Sequence, residues 1–167
     1  MSDVVQLRQL GIHDIPGTVS AYAFAMTARL NAIGIVVADM GRALAFYRAL
    51  GLEIPPESEA EDHAEAALPG GLRLMWDTEE SIRSFDPNWS TPTGSPRTGL
   101  AFVCESAAEV DRLYADLTGA GYAGQREPWD AFWGQRYATV GDPDGNGVDL
   151  FAWLPGREPS PEPGPPG

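Results

Sequence analysis

The sequence predicts an α+β domain built from two βαβββ modules. Three observations lead there. A β-branched apolar run followed by a capped amphipathic helix occurs twice, the two copies are offset by about 67 residues, and each helix is followed by short strand-like pieces bounded by turn residues. With 167 residues, 43% of them hydrophobic, the chain is long enough for one well-packed domain and too short for two large ones.

In the first copy, residues 30–37 (LNAIGIVV) read as a buried strand. Asp39 can cap a helix whose apolar positions Met40, Ala43, Leu44, Tyr47 and Leu50 form one stripe, and Gly51 ends it. Strand-like pieces follow at 52–54, 64–68 and 72–77, then a long loop over 78–96. The second copy opens at 98–104. Ser106 and Glu109 form a capping box for a helix that turns Val110, Leu113, Leu117 and Ala120 inward. Strands are expected near 122–127, 135–140 and 148–153, the last two joined by the dense turn signal Asp142-Pro-Asp-Gly-Asn-Gly147, which ends in an Asn-Gly pair.

Both ends read as appendages. Residues 1–25 lack a clear period, whereas Met26 opens a stretch that reads as a natural domain start; a genuine N-terminal extension and a start assigned too early are both open. The domain spans 26–154, with modules at about 29–77 and 97–154, and residues 155–167 form a Pro-rich tail expected to be extended and disordered.

Composition narrows the function. Twenty-four acidic residues face 11 basic ones, all arginine, for a formal charge of −13. Such a chain cannot neutralise a run of phosphates, so nucleic acid is excluded as a partner, and anionic membrane surfaces are repelled. The field favours cationic ligands, although an acidic surface also serves plain solubility. No apolar run reaches the roughly 18–20 residues of a membrane helix, and the start of the chain lacks the basic and apolar regions of a secretory signal. The single cysteine, Cys104, lies in an apolar run as a buried, inert thiol and fits a cytoplasmic location.

Two segments carry a family resemblance. Val37-Ala-Asp-Met-Gly-Arg-Ala-Leu-Ala-Phe-Tyr-Arg-Ala-Leu-Gly-Leu52 is similar to the first strand–helix unit of the glyoxalase/bleomycin-resistance/extradiol-dioxygenase (vicinal oxygen chelate) superfamily. Trp133-Gly-Gln-Arg-Tyr-Ala-Thr-Val-Gly-Asp-Pro-Asp-Gly-Asn-Gly-Val-Asp-Leu150 resembles its final hairpin, and the likeness covers roughly 29–154. The resemblance implies two βαβββ modules forming an incomplete barrel around a cavity, in a homodimer. It also implies, for the enzymes of the superfamily, a divalent metal held by His, Glu or Gln from four strands, at donor distances of about 2.0–2.2 Å. Carried over, the first-strand ligand position is Ala32, its counterpart in the second module is Gly99, and residues 72–76 offer Arg73, Leu74 and Met75. Only a last-strand carboxylate remains, as Asp149. The two histidines, His13 and His63, belong to no ligand-spaced cluster and read as solvated surface residues. No metal, no cofactor and no catalytic residue is therefore assigned, and the chain resembles the metal-free bleomycin-resistance branch.

Aromatic residues cluster where the family's cavity would lie. Trp76, Phe85 and Trp89 fall on the fourth strand and the inter-module loop; Trp129, Phe132 and Trp133 crowd what reads as a loop before the penultimate strand, followed by Arg136 and Tyr137. With Asp149, these nine residues are the expected ligand-binding set: flat apolar walls, with Arg136 and Asp149 as opposite charges on adjacent strands. Filling of the core or of a dimer seam competes with this reading, and for Phe151 and Trp153 it is preferred. The favoured function is metal-independent binding of a small aromatic or cationic molecule, with antibiotic or toxin sequestration as one use. A regulatory metabolite-binding module is a close rival. The alternative is a metal-dependent lyase or dioxygenase of the glyoxalase superfamily with atypical ligands.

Overall fold

The structure, a computed structural model, describes residues 29–95 and 97–158. The proposed extension at 1–25, His13, and all but the first residues of the Pro-rich tail lie outside the described residues. Both modules belong to one compact unit, Asn31–Gly167.

Strand β1 (Ala32–Val37) leads into helix α1 (Met40–Ala49). The Asp39 carboxylate caps α1 by accepting the Arg42 N–H at 2.8 Å, and Gly51 ends it at φ 92°. Met40, Ala43, Leu44 and Tyr47 are buried as the stripe requires, and Phe46 is buried too, edge-on to Tyr122 of the second module at 4.9 Å. Helix α1 therefore packs on two sides.

Residues 52–54 do not form the expected strand. Pro55 and Pro56 cannot donate ladder hydrogen bonds, and Arg48 satisfies the local carbonyls instead, donating to Ile54 O at 2.8 Å and Pro55 O at 2.7 Å. A 3₁₀ turn at Pro56–Ala60 precedes β2 (His63–Ala67) and β3 (Arg73–Thr78). The supposed loop then contains helix α2 (Glu79–Phe85), capped by the Thr78 hydroxyl, which accepts the Ser81 N–H at 3.1 Å.

The second module is complete: β4 (Leu100–Val103), α3 (Ala107–Gly119), β5 (Ala123–Ala131), β6 (Gln135–Gly141) and β7 (Gly147–Trp153). The Ser106 hydroxyl caps α3 through Glu109 N at 3.2 Å, while the Glu109 carboxylate reaches one residue further back than in a standard capping box, to Glu105 N at 2.8 Å. Strand β5 runs through Trp129, so this residue belongs to a strand and the turn is confined to 132–134, with Gly134 at φ 93°. Two register shifts in β5 mark bulges.

The sheets are ordered β1-β3-β2 and β4-β7-β6-β5, each with its first strand parallel to its last. The order is the same in both, with the outermost strand missing from the first. This is the α+β architecture of two open sheets in an incomplete barrel. Alternate residues of each strand (Ile33, Ile35 and Val37 on β1; Leu74 and Trp76 on β3; Val148, Leu150 and Ala152 on β7) face a single hydrophobic core shared with α1 and α3. The turn at 142–147 ties the modules together. Asp142, only 4% exposed, accepts from Asp144 N, Asn146 N, Asn146 Nδ2 and the Tyr47 hydroxyl, the last at 3.1 Å across the modules. Asp144 Oδ1 accepts Ala38 N at 3.0 Å. The left-handed residue is Gly145 (φ 87°), so the Asp-Gly pair makes the turn rather than the Asn-Gly pair. Among the described residues no helix is long and apolar enough to cross a membrane.

Candidate functional site

The face of the second sheet turned away from the helices carries a continuous run of aromatic rings. Cross-strand pairing sets Trp129 opposite Tyr137 and Tyr137 opposite Phe151, which brings their rings into a row with centroids 5.1 and 6.2 Å apart. Trp133 folds back from the turn to within 5.6 Å of Tyr137, Phe132 sits edge-on to Trp133 at 4.8 Å, and Trp153 continues the row beyond Phe151 at 6.2 Å. Phe132 is 97% exposed and Trp133 46%. The Arg126 guanidinium lies over the Trp129 ring, 3.8 Å from its centroid.

Polar groups on this face are few and held. Asp149 accepts the Thr139 hydroxyl at 2.8 Å, and Gln135 Oε1 accepts the Trp133 indole N–H at 2.7 Å. Burial, and then the adjacent Asp149 carboxylate, push the Tyr137 phenol up to about 12, so it stays protonated as a donor at neutral pH.

The nine expected site residues separate into groups. Trp129, Phe132, Trp133, Tyr137 and Asp149 come together on the open face. Trp76 does not: it is fully buried in the core, its ring 5.1 Å from Tyr47 and its indole N–H without a partner among the described residues. Arg136 also points the other way, bonded to Asp111 of α3 at 2.8 Å and to Asp130 at 3.1 Å, so it cannot be the counter-charge to Asp149. Consecutive strand residues face opposite sides, and Arg136 directly precedes Tyr137. Phe85 is 70% exposed at the end of α2, away from the row. Phe151 and Trp153, assigned to the core or a dimer seam, are half-buried members of the row. Arg126, Gln135 and Thr139 were missed; the period-2 alternation with Tyr137 and Asp149 was the signal for Gln135 and Thr139, while bulges in β5 obscure it for Arg126.

Trp89 belongs to a second feature, a cavity of about 310 Å³ between β1 and β4 whose walls include Gly34, Tyr47, Glu79, Gly99 and Asp144. The Arg83 guanidinium sits 4.9 Å from the Trp89 ring centroid. Burial, with the Asp142 and Glu79 charges behind it, raises the Asp144 carboxyl, and hydrogen bonds from Arg83 and then Thr91 lower that of Glu79. Asp149 lies near one wall of this cavity: a Cβ on Gly99 would lie 4.0 Å from its Oδ2.

The sequence profile of the Glyoxalase/Bleomycin resistance protein/Dioxygenase superfamily matches residues 29–150. The chain belongs to this superfamily. Solved structures agree at the level of fold. A glyoxalase/bleomycin resistance protein/dioxygenase family enzyme from Burkholderia phytofirmans PsJN superposes with a TM-score of 0.66 at 19% identity, over 76% of this chain and 100% of that one. A glyoxalase/bleomycin resistance protein/dioxygenase from Nocardioides gives 0.64 at 21% identity, over 96% and 99%. A glyoxalase-related enzyme from Fulvimarina pelagi gives 0.61 at 19% identity, over 74% and 87%. No curated protein matches the sequence.

Metal-binding members of the superfamily need donors at four strand positions, and the residues here do not fit. Ala32 and Arg73 are cross-strand partners, and the Arg73 guanidinium is bonded to Glu65 at 2.6 Å and to Asn31 at 2.8 Å, so these two positions offer a methyl group and a paired cation but no metal donor. Leu74 points into the core, Met75 is a thioether, and Gly99 has no side chain. Among the described residues no three His, Cys, Asp or Glu side chains are placed to hold a metal ion. His63 has both ring nitrogens engaged, by Asp77 at 2.7 Å and Glu65 at 3.1 Å, and lies exposed on the first sheet. Cys104 is half-buried rather than fully buried, and burial and then the Glu109 charge push its thiol up, which disfavours the thiolate.

Proposed function

We propose that this superfamily member binds a small, flat aromatic or cationic molecule on the open face of its second sheet, without a metal. The observation that carries this reading is the unbroken run from Trp129 through Tyr137 and Phe151 to Trp153, with one guanidinium already stacked on it. Ring faces pack against planar guests and attract cations. Asp149 supplies a single carboxylate at the edge of the run to orient a cationic group, and the charge of −13 concentrates cations around the protein. Such a surface needs no catalyst to sequester an antibiotic or toxin, the use that the bleomycin-resistance part of the family name suggests. The same reading takes the protein to be a cytoplasmic homodimer.

Two titrations test it. Quenching of tryptophan emission by planar cations such as proflavine and ethidium should saturate, and Asp149→Ala should change affinity by no more than about tenfold. Calorimetry of chelator-treated protein with Fe(II), Mn(II), Ni(II) and Zn(II) should show no site. A metal bound at one site per chain and lost in Asp149→Ala would overturn the reading in favour of a metal-dependent enzyme.

A further inference from the structure

Strand register sorts the open face of the second sheet into two adjacent rows. In the aromatic row, cross-strand pairing aligns Trp129, Tyr137, Phe151 and Val103. Beside it, Arg126 stands opposite Thr139, Thr139 opposite Asp149, and Asp149 opposite Ala101. On β6 and β7 the rows lie two residues apart, as side chains on one face must. On β5 they lie three apart, because the bulge between Arg126 and Trp129 adds a residue. Without that bulge Arg126 would emerge on the helix side of the sheet.

The second row carries opposite charges on either side of Thr139. The Thr139 hydroxyl is committed to Asp149 at 2.8 Å. Arg126 and Asp149 are two strand spacings apart, roughly 10 Å. That is about one Debye length in physiological salt, so the two charges leave one another largely unneutralised.

Arg126 differs from Arg136, which Asp111 and Asp130 hold on the other face. Arg126 is exposed, has no carboxylate partner among the described residues, and rests 3.8 Å from the centroid of the Trp129 ring. Stacking fixes the plane of a guanidinium and leaves its edge N–H groups open to an oxyanion through two parallel hydrogen bonds. It also fills that ring face with a cation, so a guest bearing only positive charge is repelled there.

We propose that Arg126 sets the specificity of this face, and that its ligands are flat aromatic zwitterions. The anionic group sits on the Arg126 guanidinium, the cationic group at Asp149, and the ring system on the aromatic row. The assignment rests on the ligand-binding reading above and adds the anion to it. The charge of −13 opposes anions at long range, but within a Debye length the nearest charge decides.

The test is calorimetry of the full-length chain at physiological salt with three flat probes. They are naphthoate, naphthylmethylammonium, and an (aminomethyl)naphthoate with its two groups at opposite ends of the ring system. Wild type should bind the zwitterion about tenfold more tightly than either singly charged probe. Arg126→Met keeps a flexible apolar stem against Trp129; it should lose about tenfold for naphthoate and for the zwitterion, and nothing for naphthylmethylammonium. Arg126→Lys, with the charge but not the fork, should recover only part of that loss. Asp149→Asn should lose about fivefold for the two ammonium probes and nothing for naphthoate. The Arg126 Nε–H resonance should shift with naphthoate and the zwitterion. An Arg126→Met variant that keeps the wild-type order of affinities would overturn the assignment while leaving ligand binding on the rings intact. Tightest binding of naphthylmethylammonium by wild type would do the same. No binding of any probe to any form would sink the ligand-binding reading, and the assignment with it.

Discussion

At the scale of single residues, the buried polar groups join distant parts of the chain. Tyr47 is fully buried on α1 yet keeps a hydroxyl, and that hydroxyl meets Asp142 of the second module at 3.1 Å. Burial first, then Asp142, raises the phenol far above its ordinary value, so Tyr47 is always the donor. Tyr47→Phe removes the donor but keeps the ring, and should cost roughly 1.5–3 kcal/mol in urea unfolding, as expected for a hydrogen bond to a charged acceptor. His63 is the one histidine among the described residues. Hydrogen bonds to Asp77 and then Glu65 raise its pKa above 6.5, so the folded state holds the proton more tightly than the unfolded one. The resulting stability is fully present below the unfolded value and is lost as pH rises through the folded value. Urea midpoints of wild type and His63→Gln should therefore differ most at about pH 5 and converge at about pH 9. A difference that grew with pH would show the imidazole to be bound neutral.

Among the elements, glycines and prolines decide more than hydrophobic pattern does. The turn at 142–147 works because Gly145 occupies φ 87° while Asp142 gathers the surrounding donors. A Cβ at Gly145 would touch nothing, so Gly145→Ala isolates the backbone term and should lower stability by about 1–2 kcal/mol in thermal unfolding. Gly34 has equally open space but an ordinary strand backbone, and Gly34→Ala should be neutral or stabilise by about 0.5–1 kcal/mol. Equal losses at the two positions would disprove the left-handed requirement. In the first module Pro55 and Pro56 suppress a strand, with Arg48 supplying the donors that a neighbouring strand would have supplied. In the second, the bulges of β5 carry Trp129 and Arg126 onto the face that holds Tyr137.

For the whole molecule, one core serves both modules, and the two helix-free faces have become chemically different. That of the first sheet carries the polar chain Arg73–Glu65–His63–Asp77, and that of the second the aromatic run. Trp133→Ala should weaken binding of a planar ligand by roughly 1–3 kcal/mol, with little loss of stability because the ring is 46% exposed. Unchanged affinity with a dissociated dimer would assign the ring to an interface. Both long helices, their caps and the final turn were legible in the sequence, because Asp39, Ser106 and the apolar stripes act on neighbours three or four residues away. The superfamily was legible because two such local units recur at a set spacing. The side of a sheet on which a residue emerges is another matter, because it depends on register with strands far away in the chain. Trp76 therefore went to the core, Arg136 to α3, and Phe151 and Trp153 out to the open face. The loss of the strand at 52–54 and the gathering of Arg126, Trp129, Tyr137 and Asp149 into one surface were likewise decided by long-range pairing, which no local pattern encodes.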